Sequence, residues 1–235
     1  AGAGTLYAWN QETGGIEGIS AIPYIHGFSW YQVLAHHQLP VHLENDANCV
    51  GLSELLAHPE IENAACVVIG TGIGGAMIIN GKLHRGRHGL GGEFGYMTTI
   101  EPAEKLNNWS LLASTGSMVR YVIEKSGQTD WDGRKVYQEA ATGNALCQEA
   151  IERMNRNLAQ GLLNIQYLID PDVISLGGSI SQNPDFIEGV QKAADAFVEK
   201  YEEYTIAPVI QACTYQADAN LYGALVNWLQ EEKQW

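Results

Sequence analysis

Residues 64–81 constrain this chain more than any other stretch. They run Ala64-Ala65-Cys66-Val67-Val68-Ile69, then Gly70-Thr71-Gly72-Ile73-Gly74-Gly75, then Ala76-Met77-Ile78-Ile79 and Asn80-Gly81. A short, continuous apolar run bounded by turn signals is a buried strand. Asn-Gly between apolar runs signals a hairpin, because both residues tolerate positive φ. The glycines have the spacing G-x-G-x-x-G, but a dinucleotide fingerprint needs a helix directly after the loop. Residues 76–81 read instead as strand and turn, so a Rossmann site is rejected. Between two strands, such a loop can still wrap phosphate oxygens with backbone N–H groups, with the Thr71 hydroxyl as a further donor. The competing reading is a tight hairpin whose glycines only pack.

The rest of the chain alternates in the same way. Residues 39–43 (LPVHL) read as a short strand ending at Glu44-Asn45-Asp46. Residues 47–57 read as a helix with Asp46 at its N-cap position, ended by His58-Pro59. Helices are expected over 110–125, 134–141, 145–169, 186–201 and 217–229, with Pro171 stopping the longest. Strands are expected over 173–176 and 208–212, a turn or hairpin over 10–18, and a second glycine-dense loop over 86–95. Strands alternating with helices indicate an α/β class.

Composition narrows the partners. The 235 residues hold 13 basic and 27 acidic side chains, a net charge of −14. Such a field repels nucleic acid and anionic membranes. No apolar run approaches the ~20 residues of a membrane span, and no signal segment is visible at the start. The reading is a soluble, cytoplasmic protein. Cys49, Cys66, Cys147 and Cys213 are scattered, without a CxxC pair, and read as small buried hydrophobes. His84 and His88 flank Arg85 and Arg87 in a loop and lack a third ligand, so no metal is assigned.

Two further segments can carry chemistry. Glu44-Asn45-Asp46-Ala47-Asn48 puts a carboxylate between a strand and a helix, at the mouth of an α/β sheet, where ligands bind. Asp46 there is either a helix cap or an acceptor for a hydroxyl proton. Gly91-Gly92-Glu93-Phe94-Gly95-Tyr96 sets one carboxylate among glycines, either as a polyol acceptor or as a solvated loop residue.

Together and in this order, ENDAN, GTGIGG and GGEFGY resemble the ROK family of sugar kinases, regulators and open reading frames. Residues 170–179 (DPDVISLGGS) look like the family's late strand and glycine turn near the adenosine, and residues 217–225 look like its C-terminal helix. The resemblance covers about residues 10–232. It implies the two-lobed hexokinase/actin-like ATPase (ribonuclease H-like) α/β fold. Residues 1–46 would be the remainder of the small lobe, 47–216 the large lobe, and 217–235 a returning helix. It further implies transfer of the ATP γ-phosphate to a hexose or N-acetylhexosamine hydroxyl, with Mg²⁺ held mainly by the phosphates.

Carried over by motif, Asp46 is the base, and Asn45, Glu93 and Tyr96 meet the sugar. Thr71, Gly72, Gly74 and Gly178 meet the nucleotide. Three departures stand out. The family's DxGGT-type phosphate loop has no counterpart in residues 1–9. Tyr96 stands where a zinc-binding His belongs, and 101–116 contain no Cys, so no structural zinc is expected. Residues 109–112 (WSLL) offer no carboxylate where the family has a sugar-touching glutamate. A catalytically silent sugar-binding sensor or regulator is therefore the alternative. The apolar surplus of the helix over 145–169 implies a homodimer. No helix-turn-helix is read before Asn10 and the −14 charge opposes DNA, so a DNA-binding repressor is not expected.

Overall fold

The computed structural model describes residues 9–10, 12–16, 23–98 and 107–233. Two short strands, β1 (Trp9–Asn10) and β2 (Gly15–Ile16), pair antiparallel, as the turn signals over 10–18 imply. Helix α1 (Trp30–Leu34) and then α2 (Asp46–Ala57) follow. Strands β3 (Ala64–Ile69), β4 (Ile73–Ile79) and β5 (Lys82–Leu83) form an antiparallel meander. Asn80 and Gly81 turn between β4 and β5 with φ of 53° and 68°, the double positive φ that this hairpin requires.

Helices α3 (Trp109–Ala113), α4 (Thr115–Ser126), α5 (Gly133–Ala141) and α6 (Ala145–Ile169) come next. Strand β6 (Val173–Gly177), α7 (Pro184–Lys200), β7 (Ile210–Ala212) and α8 (Ala219–Glu231) complete the chain. The sheet order is β5-β4-β3-β6-β7, with β6 parallel to β3 and β7 parallel to β6. A three-stranded meander continued by parallel strands is the layout of the ribonuclease H-like, actin-like ATPases named above.

Strand periodicity sorts the helices into two layers. Ala65, Val67, Ile69, Ile174 and Leu176 face one way, into a core with Met118, Val122, Leu158, Leu162 and Phe186 of α4, α6 and α7. Cys66 faces the other way and packs with Val50 of α2, Cys213 and Ala219 of α8. Ser175 shares that side, and its hydroxyl donates to the buried Glu54 carboxylate of α2 at 3.0 Å. The Thr214 N–H donates to the same carboxylate at 2.8 Å. Glu54 therefore fastens α2 to β6 and to the turn after β7. At the other end of β6, Asp172 Oδ2 accepts the Asn63 N–H at 3.0 Å, which fixes the β3/β6 register.

Several helix starts are set by side-chain caps. Asn45, Asn108, Ser114, Asp132, Asn144 and Asn183 each accept a backbone N–H of the first turn. Three expectations change here. The cap of α2 is Asn45, not Asp46, because Asn45 Oδ1 takes the Asn48 N–H at 3.0 Å. The single helix expected over 110–125 is broken at Ser114, whose extended backbone caps α4 while its hydroxyl donates to the Thr71 carbonyl at 3.0 Å. Residues 39–43 form no strand, since no partner strand lies beside them among the described residues. Val41, Leu39 and Pro40 instead line a groove with Leu34 and Trp228.

The long helix α6 spends its apolar face inside the chain. Met154, Leu158, Leu162 and Ile165 are buried. The surplus read from the sequence is confined to Tyr167 and Leu168 at its C-terminal end. The four cysteines are free and buried. No helix among the described residues is long and apolar enough to cross a membrane.

Candidate functional site

The C-terminal end of β3, the start of β4 and the start of α2 meet around a cavity of about 450 Å³. Asn45, Asp46, Gly70, Gly72, Gly74, Glu93, Tyr96, Asn108 and Ser110 line it. The three motifs, separated by up to 51 positions in sequence (Asn45 to Tyr96), therefore share one space. Thr71 and Gly178 stand beside it rather than in its wall. Thr71 is exposed at the tip of the turn. Gly178 follows β6 with φ of +91°, and a Cβ there would lie 2.1 Å from the Ile69 carbonyl oxygen. It is thus pressed against the strand end that leads into the Gly70 turn.

Why Asp46 faces the cavity follows from the cap. Asn45 occupies the capping position, which moves Asp46 to the first helical residue. Its carboxylate accepts the adjacent Ala47 N–H at 3.0 Å. Burial raises the Asp46 pKa above the ordinary carboxylate value, and backbone N–H groups pull it partly back. Glu93 is raised too, first by burial and then by the negative charge of Asp46. Tyr96 is raised by partial burial and by Glu93. Two carboxylates that share a half-dry space and repel each other are placed to accept hydrogen bonds from hydroxyl groups. Replacing Asp46 by Asn should therefore lower the Glu93 pKa. A carboxyl-carbon NMR titration reads this, and an unmoved Glu93 would show that the two groups do not sense one another.

The glycine turn is built by close approach. A Cβ on Gly75 would meet the Phe94 ring at 2.3 Å and the Gly92 carbonyl at 2.7 Å, so β4 and the Glu93 segment lie directly against each other. The Gly70 N–H donates to the Gly72 carbonyl at 2.9 Å, and the Gly116 N–H donates to the Gly70 carbonyl at 3.2 Å. A side chain at Gly70 would meet nothing within 4 Å, so this backbone borders open space. The loop is followed by β4, which agrees with rejecting a dinucleotide site.

Sequence reasoning missed Asn108 and Ser110. The Ser110 hydroxyl accepts the Ile73 N–H at 2.9 Å, holding α3 to the first residue of β4. Asn108 caps α3 through Leu111 N–H and lies at the cavity wall. Neutral polar residues at a helix start give no chemical signal by themselves; the Asn-Trp-Ser cap pattern was the available cue. Among the described residues, no group of three or more His, Cys, Asp or Glu is gathered for a metal ion. The stretch 99–106 lies outside the described residues.

The ROK family model matches residues 31–231. The chain belongs to the ROK family. It is 33% identical over 231 residues to a beta-glucoside kinase of Listeria monocytogenes, covering 95% of this chain and 76% of that protein. A ROK family protein of Streptococcus pneumoniae TIGR4, solved in complex with sucrose, is 86% identical with a TM-score of 0.91. That match covers 97% of this chain and 79% of the other. The ROK hexokinase of Thermus thermophilus superposes with a TM-score of 0.79 at 25% identity, covering 95% and 76%. The actin-like α/β fold is thus shared by the ROK kinases and this chain.

Proposed function

We propose that this ROK protein is an ATP-dependent sugar kinase acting on a hexose, an N-acetylhexosamine or a hexosyl glycoside. The observation that carries the reading is the shared cavity, lined by Asp46, Glu93 and the Gly70–Gly74 backbone together. Asp46 is the base. Asn45, Glu93 and Tyr96 hold the sugar hydroxyls and ring. Thr71, Gly72 and Gly74 lie toward the phosphates of the nucleotide, and Gly178 toward its nucleoside. The names of the relatives support the class, and a sucrose complex of an 86% identical protein supports a carbohydrate ligand.

In this reading the sugar hydroxyl gives its proton to Asp46 as its oxygen attacks the γ-phosphorus. The bond to the bridging oxygen breaks, and ADP leaves with that electron pair. Phosphoryl transfer needs positioning and charge stabilisation more than covalent help, so a single carboxylate suffices as base. Burial suits the task, because a base works best when its pKa is lifted toward the operating pH. Mg²⁺ fits a site of this kind. It would be held mainly by the nucleotide phosphates, which leaves Asp46 and Glu93, the carboxylates among the described lining residues, free for the sugar. When bound, it neutralises charge on the transferring phosphoryl group.

A coupled assay of ADP release, run with ATP, Mg²⁺ and a panel of glucose, N-acetylglucosamine, N-acetylmannosamine, cellobiose and sucrose, tests the activity. Turnover with at least one sugar is expected. Sugar-dependent thermal stabilisation without any ADP release would favour the silent sensor instead.

A further inference from the structure

Arg85 stands at the start of the glycine-dense loop and takes no part in the scheme above. Its backbone is well rooted. The preceding residue, His84, donates its N–H to the Met77 carbonyl of β4 at 2.8 Å. The Arg85 carbonyl then accepts the Gly91 N–H at 2.9 Å. A Cβ on Gly91 would lie 2.4 Å from the His84 carbonyl oxygen, so the loop returns in direct contact with its own base. Two residues later comes Glu93.

The side chain reaches the other way. Its Nε pairs with Glu44 Oε2, and its terminal nitrogen donates to Asn227 Oδ1 of α8 at 3.1 Å. The Glu44 side chain is only 10% exposed, against 42% for Arg85. The other Glu44 oxygen accepts the Asn45 N–H at 2.8 Å and the Asn48 side-chain amide at 2.9 Å. Glu44 thereby organises the turn that presents Asn45 and Asp46. One residue therefore joins the Glu93 loop, through its backbone, to the Asp46 turn and α8, through its guanidinium.

We propose that Arg85 is a positioning residue, setting the spacing of Asp46 and Glu93 through Glu44. The proposal rests on reading the cavity as the kinase site. A guanidinium presents several donors in a fixed fork, so it can serve Glu44 and Asn227 at once; a lysine ammonium is a point charge that cannot reproduce that fork. Catalytic geometry is sensitive to such spacing, and displacement of about 1 Å can cost on the order of a hundredfold.

The test compares Arg85→Met, Arg85→Lys, Glu44→Gln and the Arg85→Met/Glu44→Gln double variant, using the sugar turned over best. Arg85→Met should lower kcat about tenfold and raise the sugar KM, with the ATP KM nearly unchanged. Arg85→Lys should not restore kcat, and the double variant should be no worse than the poorer single variant. A kcat within twofold of wild type in Arg85→Met, full rescue by Lys, or multiplicative losses in the double variant would overturn the proposal. Amide exchange separates this from the kinase reading. In Arg85→Met the Asn45 and Asn48 amides should exchange about tenfold faster while those of Ala65 and Cys66 in β3 stay protected. If wild type turns over no sugar, the kinase reading fails, and unchanged exchange at Asn45 and Asn48 would independently overturn the role of Arg85.

Discussion

Asp46→Asn should abolish most sugar phosphorylation while leaving sugar binding and the melting temperature close to wild type. A positioned general base contributes about 10²–10⁴-fold, so kcat should fall within that range. The substitution keeps the size and the hydrogen-bond acceptor that meets Ala47 N–H. It removes the negative charge and with it the ability to take up a proton at neutral pH. The α2 cap is carried by Asn45, not by Asp46, so helix stability is not at stake. A sugar KM near wild type, together with a collapsed kcat, marks loss of an interaction made in the transition state. Wild-type kcat in this variant would remove Asp46 from the chemistry. Measured kcat/KM in the wild type should fall on the acid side above the ordinary aspartate range, because burial holds the proton on Asp46 more tightly and the protonated form is inactive.

Gly223→Val should be the most destabilising single change in the region behind the site. Helices α2 and α8 cross so closely that a Cβ on Gly223 would lie 1.7 Å from the Cys49 carbonyl oxygen. The obstruction is backbone, which cannot rotate away as a side-chain tip could. Relief requires the helices to separate, and α2 is also pinned to β6 through Glu54. Overpacking of a core costs typically 1–3 kcal/mol and occasionally more; with backbone opposing it, about 3 kcal/mol or more is expected. For a chain of this size that lowers the melting temperature by roughly 6–12 °C. Thermal unfolding followed by circular dichroism reads it directly. A shift of a degree or two would mean that the crossing is looser than described. Because α2 starts at Asp46, the folded fraction of the variant should also lose kcat.

The parts of this molecule that were legible in the sequence are those whose cause is local. Strand β3 announces itself as an unbroken apolar run because both of its faces are buried, and Asn80-Gly81 encodes its own turn. The extent of α6 was readable from its helical periodicity and from Pro171 after Asp170, whose φ of 48° ends it. What escaped depends on partners far along the chain. The residues Leu39, Pro40 and Val41 have strand-like character, but a strand needs an edge to pair with, and here the Pro40 carbonyl instead accepts the Trp228 indole N–H at 3.0 Å. Ser114 breaks a helix whose periodicity runs on, because its hydroxyl is claimed by Thr71, 43 positions earlier. The site follows the same division. ENDAN, GTGIGG and GGEFGY were visible as motifs, yet the offset between Asn45 and Asp46, which decides cap from cavity, is one residue and invisible without hydrogen bonds. Asn108 and Ser110 enter the cavity only because α3 is held against Ile73.

An amide-by-amide NMR titration with glucose and with sucrose tests the claim on which all of this turns. Saturable sugar-induced shifts should cluster at Asn45, Asp46 and Glu93, and shifts induced by ATP added afterwards should cluster at the Gly70–Gly74 backbone. Sugar-induced shifts gathered away from these residues, or the first two segments responding while the glycine turn stays silent to added ATP, would contradict it.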